Sequence, residues 1–182
     1  MERIFIDVKG VLGIFALALL FLVGCQKKEL DFCQMLELDQ SHVNYDRSDT
    51  IKMKNDRKIR KELIKNNFKD LIEYAKYNSF PEMGELDVTG VDSCRNWAVF
   101  ITCFHIGQTA PHLYFEEETI EVLTKEIEKG NLKGSSLFTS FREGFRSHEF
   151  CESQKDLIQN TLASWEINID ELPEIRYKKC IK

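Results

Sequence analysis

A thirteen-residue apolar run, Val11 to Val23, ends at Gly24-Cys25 and decides how much of the chain is available to fold. A helix needs about 20 apolar residues to cross a bilayer, so the run is short for a span. It has the length of the apolar centre of a secretory signal, with Arg3 and Lys9 as a positive flank that Glu2 and Asp7 offset. Cleavage before Cys25 leaves 158 of the 182 residues, and the net charge stays at −5 because the removed piece carries two side chains of each sign. A buried N-terminal helix and an uncleaved anchor helix are the alternative uses of the run.

The residues that close the run carry a resemblance. Leu22-Val23-Gly24-Cys25 is similar to the lipobox of bacterial lipoproteins, in which small residues precede a cysteine whose thiol receives a diacylglyceryl group before a signal peptidase cuts ahead of it. The resemblance implies a signal peptide over 1–24, cleavage between Gly24 and Cys25, a lipidated Cys25 bearing palmitate-type chains, a tether over 25–31 and a folded domain over 32–182. Each buried methylene of the acyl chains adds about 0.8 kcal/mol, so attachment to the membrane is firm. Gln26 stands where an Asp would retain the protein at the inner membrane in the sorting convention of enteric bacteria, so the implied address is the outer membrane of the cell envelope. The domain then faces either the periplasm or the outside.

What remains is enough for one compact domain. With 43% apolar residues, nine Gly, three Pro and a net charge of −5, the composition excludes wholesale disorder and collagen-like repeats. The acidic balance argues against a nucleic-acid partner. Export places the domain where disulfides persist. With Cys25 acylated, Cys33, Cys94, Cys103, Cys151 and Cys180 are left, an odd number, so at least one is free or pairs between molecules. No Cys-x-x-Cys pair occurs, and Cys103, inside an apolar segment, reads as a small core residue.

The periodicity predicts a mainly α fold, a single helical domain. Phe32, Met35, Leu36 and Leu38 mark a first helix reaching Asp39-Gln40, followed by a loop over 41–55. Asn55 or Asp56 can cap a long helix to about Tyr77, with Ile59, Leu63, Ile64, Leu71, Ile72 and Ala75 at helical spacing. Its other face is basic: residues 52–69 hold eight Lys/Arg against two acids, a pattern that suits a solvated helix surface or an anionic lipid headgroup layer. Residues 79–89 are a connection. Trp97 to Ile106 is almost wholly apolar and reads as a central buried helix ended by Gly107, although periodicity alone does not separate strand from helix. Helices follow over Glu116 to Lys129, with Gly130 at the exit, and from Ser135 or Ser136 through Phe145. Near the end Trp165, Ile167 and Ile169 alternate like a short strand, while Asp170 could cap a last helix carrying Leu172, Ile175 and Arg176.

No Gly-x-Ser-x-Gly elbow, phosphate-binding glycine loop, His-Glu-x-x-His or calcium-loop pattern occurs, so no cofactor or metal is expected. His42, His105, His112 and His148 never stand four apart, the spacing that would aim two imidazoles at one ion. His105 stands out at the end of the most apolar segment, where it can act as acid, base or ligand, or bond the last carbonyls of a helix.

From about Leu36 onward the chain resembles a family of small bacterial domains of unknown function, often exported. Asp39-Gln40, Asn67 with Leu71 and Ile72, Pro81, Phe104-His105, Phe141-Arg142 and Arg176 occupy the places of its short motifs. Ser79, Phe104 and Phe141 depart from the Gly, Gln and Asp of that pattern, and its Tyr-Gly-Thr-Gln-like run is missing. The resemblance therefore implies a polar site reduced to Asp39, His105, Arg142 and Arg176, and it supplies no activity. The leading expectation is a lipid-anchored envelope protein that binds another envelope component or a small ligand without catalysis. The alternatives are a hydrolase with His105 as general base, Asp39 orienting it and Arg142 holding an anion, or an effector or immunity protein with one tight partner.

Overall fold

The computed structural model describes residues 29–41, 50–81 and 93–180. The apolar run, Gly24, Cys25 and His42 lie outside them, as does most of the 79–89 connection. Six α-helices and a two-stranded sheet are present among the described residues. They are α1 (Phe32–Ser41), α2 (Thr50–Tyr77), α3 (Ser93–Thr109), α4 (Glu117–Glu128), α5 (Gly134–Ser147) and α6 (Lys155–Ser164), with β1 (Glu149–Cys151) paired in parallel to β2 (Arg176–Lys178). The expected single, mainly helical domain is what the chain builds. No helix among the described residues is long and apolar enough to cross a membrane.

The apolar segment predicted as a central helix is α3, which packs against α1, α2 and α5. Val99 and Ile106 are fully buried in it. The α3–α5 approach depends on small residues: a Cβ on Gly107 would stand 2.7 Å from the Ser140 Cβ, and one on Gly144 would stand 2.6 Å from the Gly107 carbonyl oxygen. On the far side of α5, Phe141 and Phe145 enter an aromatic cluster with Tyr114, Phe115, Phe150 and Trp165, the Tyr114 and Phe141 rings 4.7 Å apart. Burying each such phenylalanine contributes about 1.5–3 kcal/mol relative to leaving it in water. Trp165 satisfies its indole N–H by donating to Thr124 Oγ1 at 2.8 Å.

Two disulfides staple the domain. Cys33–Cys94 joins the start of α1 to the start of α3, and Cys151–Cys180 joins β1 to the residues after β2. Cys103 is free and buried, as its apolar neighbours suggested.

Several boundaries differ from expectation. The long helix begins at Thr50, not at Asn55 or Asp56, and α3 runs through Gly107 to Thr109, because that glycine serves the contact with α5 rather than a helix exit. The alternation of Trp165, Ile167 and Ile169 is not a strand. It arises where the chain reverses after α6, with Glu166 at φ 57° in the left-handed region and a 3-10 turn at Ile169–Glu171. The residues expected in a last helix extend instead, with Arg176 on β2. The short strand near the C-terminus therefore exists, eleven residues later than Trp165.

Candidate functional site

On α1 the buried positions are Phe32, Met35 and Asp39, so a carboxylate takes a place in the core-facing stripe that an apolar side chain would ordinarily fill. Asp39 is 2% exposed. An unpaired carboxylate there would carry a large desolvation penalty, and the partner comes from α3: His105 Nδ1 lies 2.7 Å from Asp39 Oδ2. The nitrogen sits out of line for a hydrogen bond to that oxygen, so the contact is electrostatic proximity rather than an aligned N–H donation. Gln40 Nε2 donates to the same oxygen at 3.1 Å, and nearby Asn67 Nδ2 donates to the Met35 carbonyl at 3.4 Å. Two sequence-predicted residues, Asp39 and His105, are thus brought together across α1 and α3.

Arg142 is not in that group. Its Nε lies 3.5 Å from Glu143 Oε1, and among the described residues no hydrogen bond or ion pair joins it to Asp39 or His105. Helix geometry explains the separation. Gly107 and Ser140 mark the line where α3 meets α5; His105 precedes Gly107 by two residues and Arg142 follows Ser140 by two, so each points about 200° away from that line. Arg176 donates from Nη2 to the Arg146 carbonyl at 3.0 Å, which ties β2 to the end of α5. His148 places Nδ1 3.2 Å from the Gly144 carbonyl, and His112 is held below the usual imidazole range by partial burial. No group of three or more His, Cys, Asp or Glu able to hold a metal ion occurs among the described residues.

A cavity of about 750 Å³ opens at the base of the tether, lined by Glu29, Asp31, Phe32, Tyr74, Asn78 and Arg95 among others. The Arg95 guanidinium stands 5.3 Å over the Phe32 ring, which meets Tyr74 edge-on at 5.1 Å. Acids, a cation and aromatic faces therefore line one concavity beside the Cys33–Cys94 bridge.

One further group escaped the sequence reading. Glu126 is fully buried, and its carboxylate accepts from the Phe80 backbone N–H (2.8 Å), Asn131 Nδ2 (2.9 Å) and Lys129 Nζ (2.8 Å), pinning the end of the α2 exit to α4. Its sequence signal is slight, a Glu on the apolar side of α4 between Leu123 and Ile127. Cys103 is pushed up to about 12 by burial, and Tyr114, whose hydroxyl donates to the Cys103 carbonyl, is raised chiefly by burial as well. Both groups stay protonated and act as core. No family model, curated protein or solved structure matches the chain, so the reading of the site rests on its geometry.

Proposed function

We propose that the chain is a bacterial envelope protein held to its membrane, the outer one by the Gln26 rule, through acyl chains on Cys25, and that its helical domain binds another envelope component or a small ligand without catalysis. The observation that carries the non-catalytic half is the disposition of the three polar residues. Asp39 and His105 face each other inside the α1–α3 contact, where they join two helices, and Arg142 is turned to Glu143. An oxyanion needs a donor aimed at it, and Arg142, the residue expected to supply one, is turned to Glu143. The cavity at the tether base supports a binding role, since it combines opposite charges with two aromatic rings.

The hydrolase reading has one observation in its favour, the 2.7 Å approach of His105 Nδ1 to the Asp39 carboxylate. Wild type and His105→Ala, assayed side by side on generic ester, phosphoester and amide substrates, separate the two. The expected result is no turnover that depends on His105. Turnover that His105→Ala abolishes while the circular dichroism spectrum is retained would overturn the proposal.

A further inference from the structure

The first part of α2, Ile51 to Leu63, is an arm with no fully buried residue; Met53, Asp56, Arg60 and Leu63 are partly buried along one side, and full burial begins at Ile64. This arm is unlike the rest of the chain in charge. Residues 52–69 carry net +6 in a chain of net −5, leaving −11 for everything else. Lys54, Arg57, Lys58, Lys61 and Lys69 are exposed and form no ion pair among the described residues. No acid sits in the first turn of the helix.

Three large apolar side chains also stand outward on the same helix, among Asn55, Glu62, Asn66, Lys69 and Glu73: Ile51 is 74% exposed, Ile59 54% and Tyr77 66%, and at about 100° per residue the three fall within about 80° of one another. Lys69 shares that sector, Lys58 and Asp70 lie about 20° beyond its two edges, and Lys54 and Lys61 lie farther round on the Lys58 side. The acids within the sector, Glu62 and Glu73, are each paired with a lysine of their own helix, Lys65 and Lys76. Exposed isoleucines beside lysines that form no ion pair among the described residues are the combination a helix lying in a lipid interface presents. The folded domain's first helix begins beside the other end of α2 from the basic arm, since Phe32 packs on Tyr74, one turn before Tyr77.

We infer that α2 is a membrane-docking face: it lies flat on an anionic lipid surface with Ile59 and Tyr77 entering the interface and Lys58, Lys61 and Lys69 against headgroup phosphates, while Glu118, paired with Lys76, stands beside its C-terminal part. The inference rests on the membrane location proposed above. Anionic lipid attracts such lysines within a Debye length, and salt weakens the attraction.

The test uses the full chain in its cellular form, reconstituted with vesicles of phosphatidylcholine alone or of phosphatidylcholine with phosphatidylglycerol. Lysines are labelled with an amine-acylating reagent and read by peptide mass spectrometry. Lys58, Lys61 and Lys69 become several-fold less reactive on the anionic vesicles, high salt restores their reactivity, and Lys125 and Lys133, on other elements, do not change. Flotation with the neutral vesicles reads the anchor separately, so a failed anchor and a failed face give different results. Equal reactivity of the three lysines on both vesicle types overturns the inference, as does protection by soluble heparin that anionic vesicles do not reproduce. In the triple variant Lys58→Glu, Lys61→Glu, Lys69→Glu, which breaks no ion pair among the described residues, the anionic-vesicle protection of Lys54 is lost; its persistence also overturns the inference.

Discussion

Asp39 and His105, 66 residues apart in sequence, meet at 2.7 Å and join the end of α1 to the central helix. Removing one member leaves the other polar group short of a partner in the α1–α3 contact, so His105→Ala is expected to cost about 1–3 kcal/mol in urea unfolding. The double variant Asp39→Ala, His105→Ala should lose less than the two single losses together. Strictly additive losses would show that the two side chains do not interact.

Gly107 and Gly144 let α3 and α5 touch backbone to backbone. Alanine at either position would place a Cβ under 3 Å from the facing helix, so each substitution is expected to lower stability by about 2–3 kcal/mol. Gly130 provides the contrast: its φ of 79° disfavours alanine, but the space around it is open, and Gly130→Ala should lose only about 1 kcal/mol. Thermal melts of the three variants test the order.

Glu126→Ala strands the Phe80 N–H, the Asn131 amide and the Lys129 ammonium at once. A loss of about 3 kcal/mol is expected, with Glu126→Gln retaining part of it because an amide oxygen still accepts. Hydrogen exchange at the Phe80 amide should accelerate strongly in Glu126→Ala and less in Glu126→Gln.

These residues also mark where sequence reasoning reached and where it stopped. The helical domain was legible because local patterns set it: the apolar stretch from Trp97 to Ile106 had to be buried, and Leu137, Phe141 and Phe145 repeat at helical spacing. Asp39 and His105 were legible as polar residues in apolar company, yet their meeting depends on how α1 crosses α3, which neither segment encodes alone. Arg142 was grouped with them on order along the chain, and order does not carry the rotation of α5. Glu126 was missed because its partners, Phe80 and Asn131, come from the exit of α2, 46 residues away, and from the turn after α4. The strand expected at Trp165 to Ile169 failed for a related reason: apolar residues flanking a reversal at Glu166 alternate in sequence without extending in space.

Cys103 sets a pH window. Its folded pKa, pushed up to about 12 from an ordinary 9.0, exceeds the unfolded value, so the unfolded chain releases this proton first. Stability is therefore intact below pH 9 and falls as pH rises toward 12, with Tyr114 shifting the balance in the same direction. Cys103→Ala should flatten the alkaline fall in urea midpoint. In the native wild type at neutral pH, Cys103 should resist iodoacetamide and react only after denaturation. Rapid native alkylation would contradict the assigned burial.

The most direct test of the account is mass spectrometry of the mature N-terminus, extracted in detergent from a bacterium with the lipoprotein pathway, for wild type beside Cys25→Ala. The account predicts a wild-type chain that begins at Cys25 and carries diacylglyceryl mass on it, with no such species in the variant. A wild-type N-terminus that is uncleaved, or cleaved without acylation of Cys25, would contradict it.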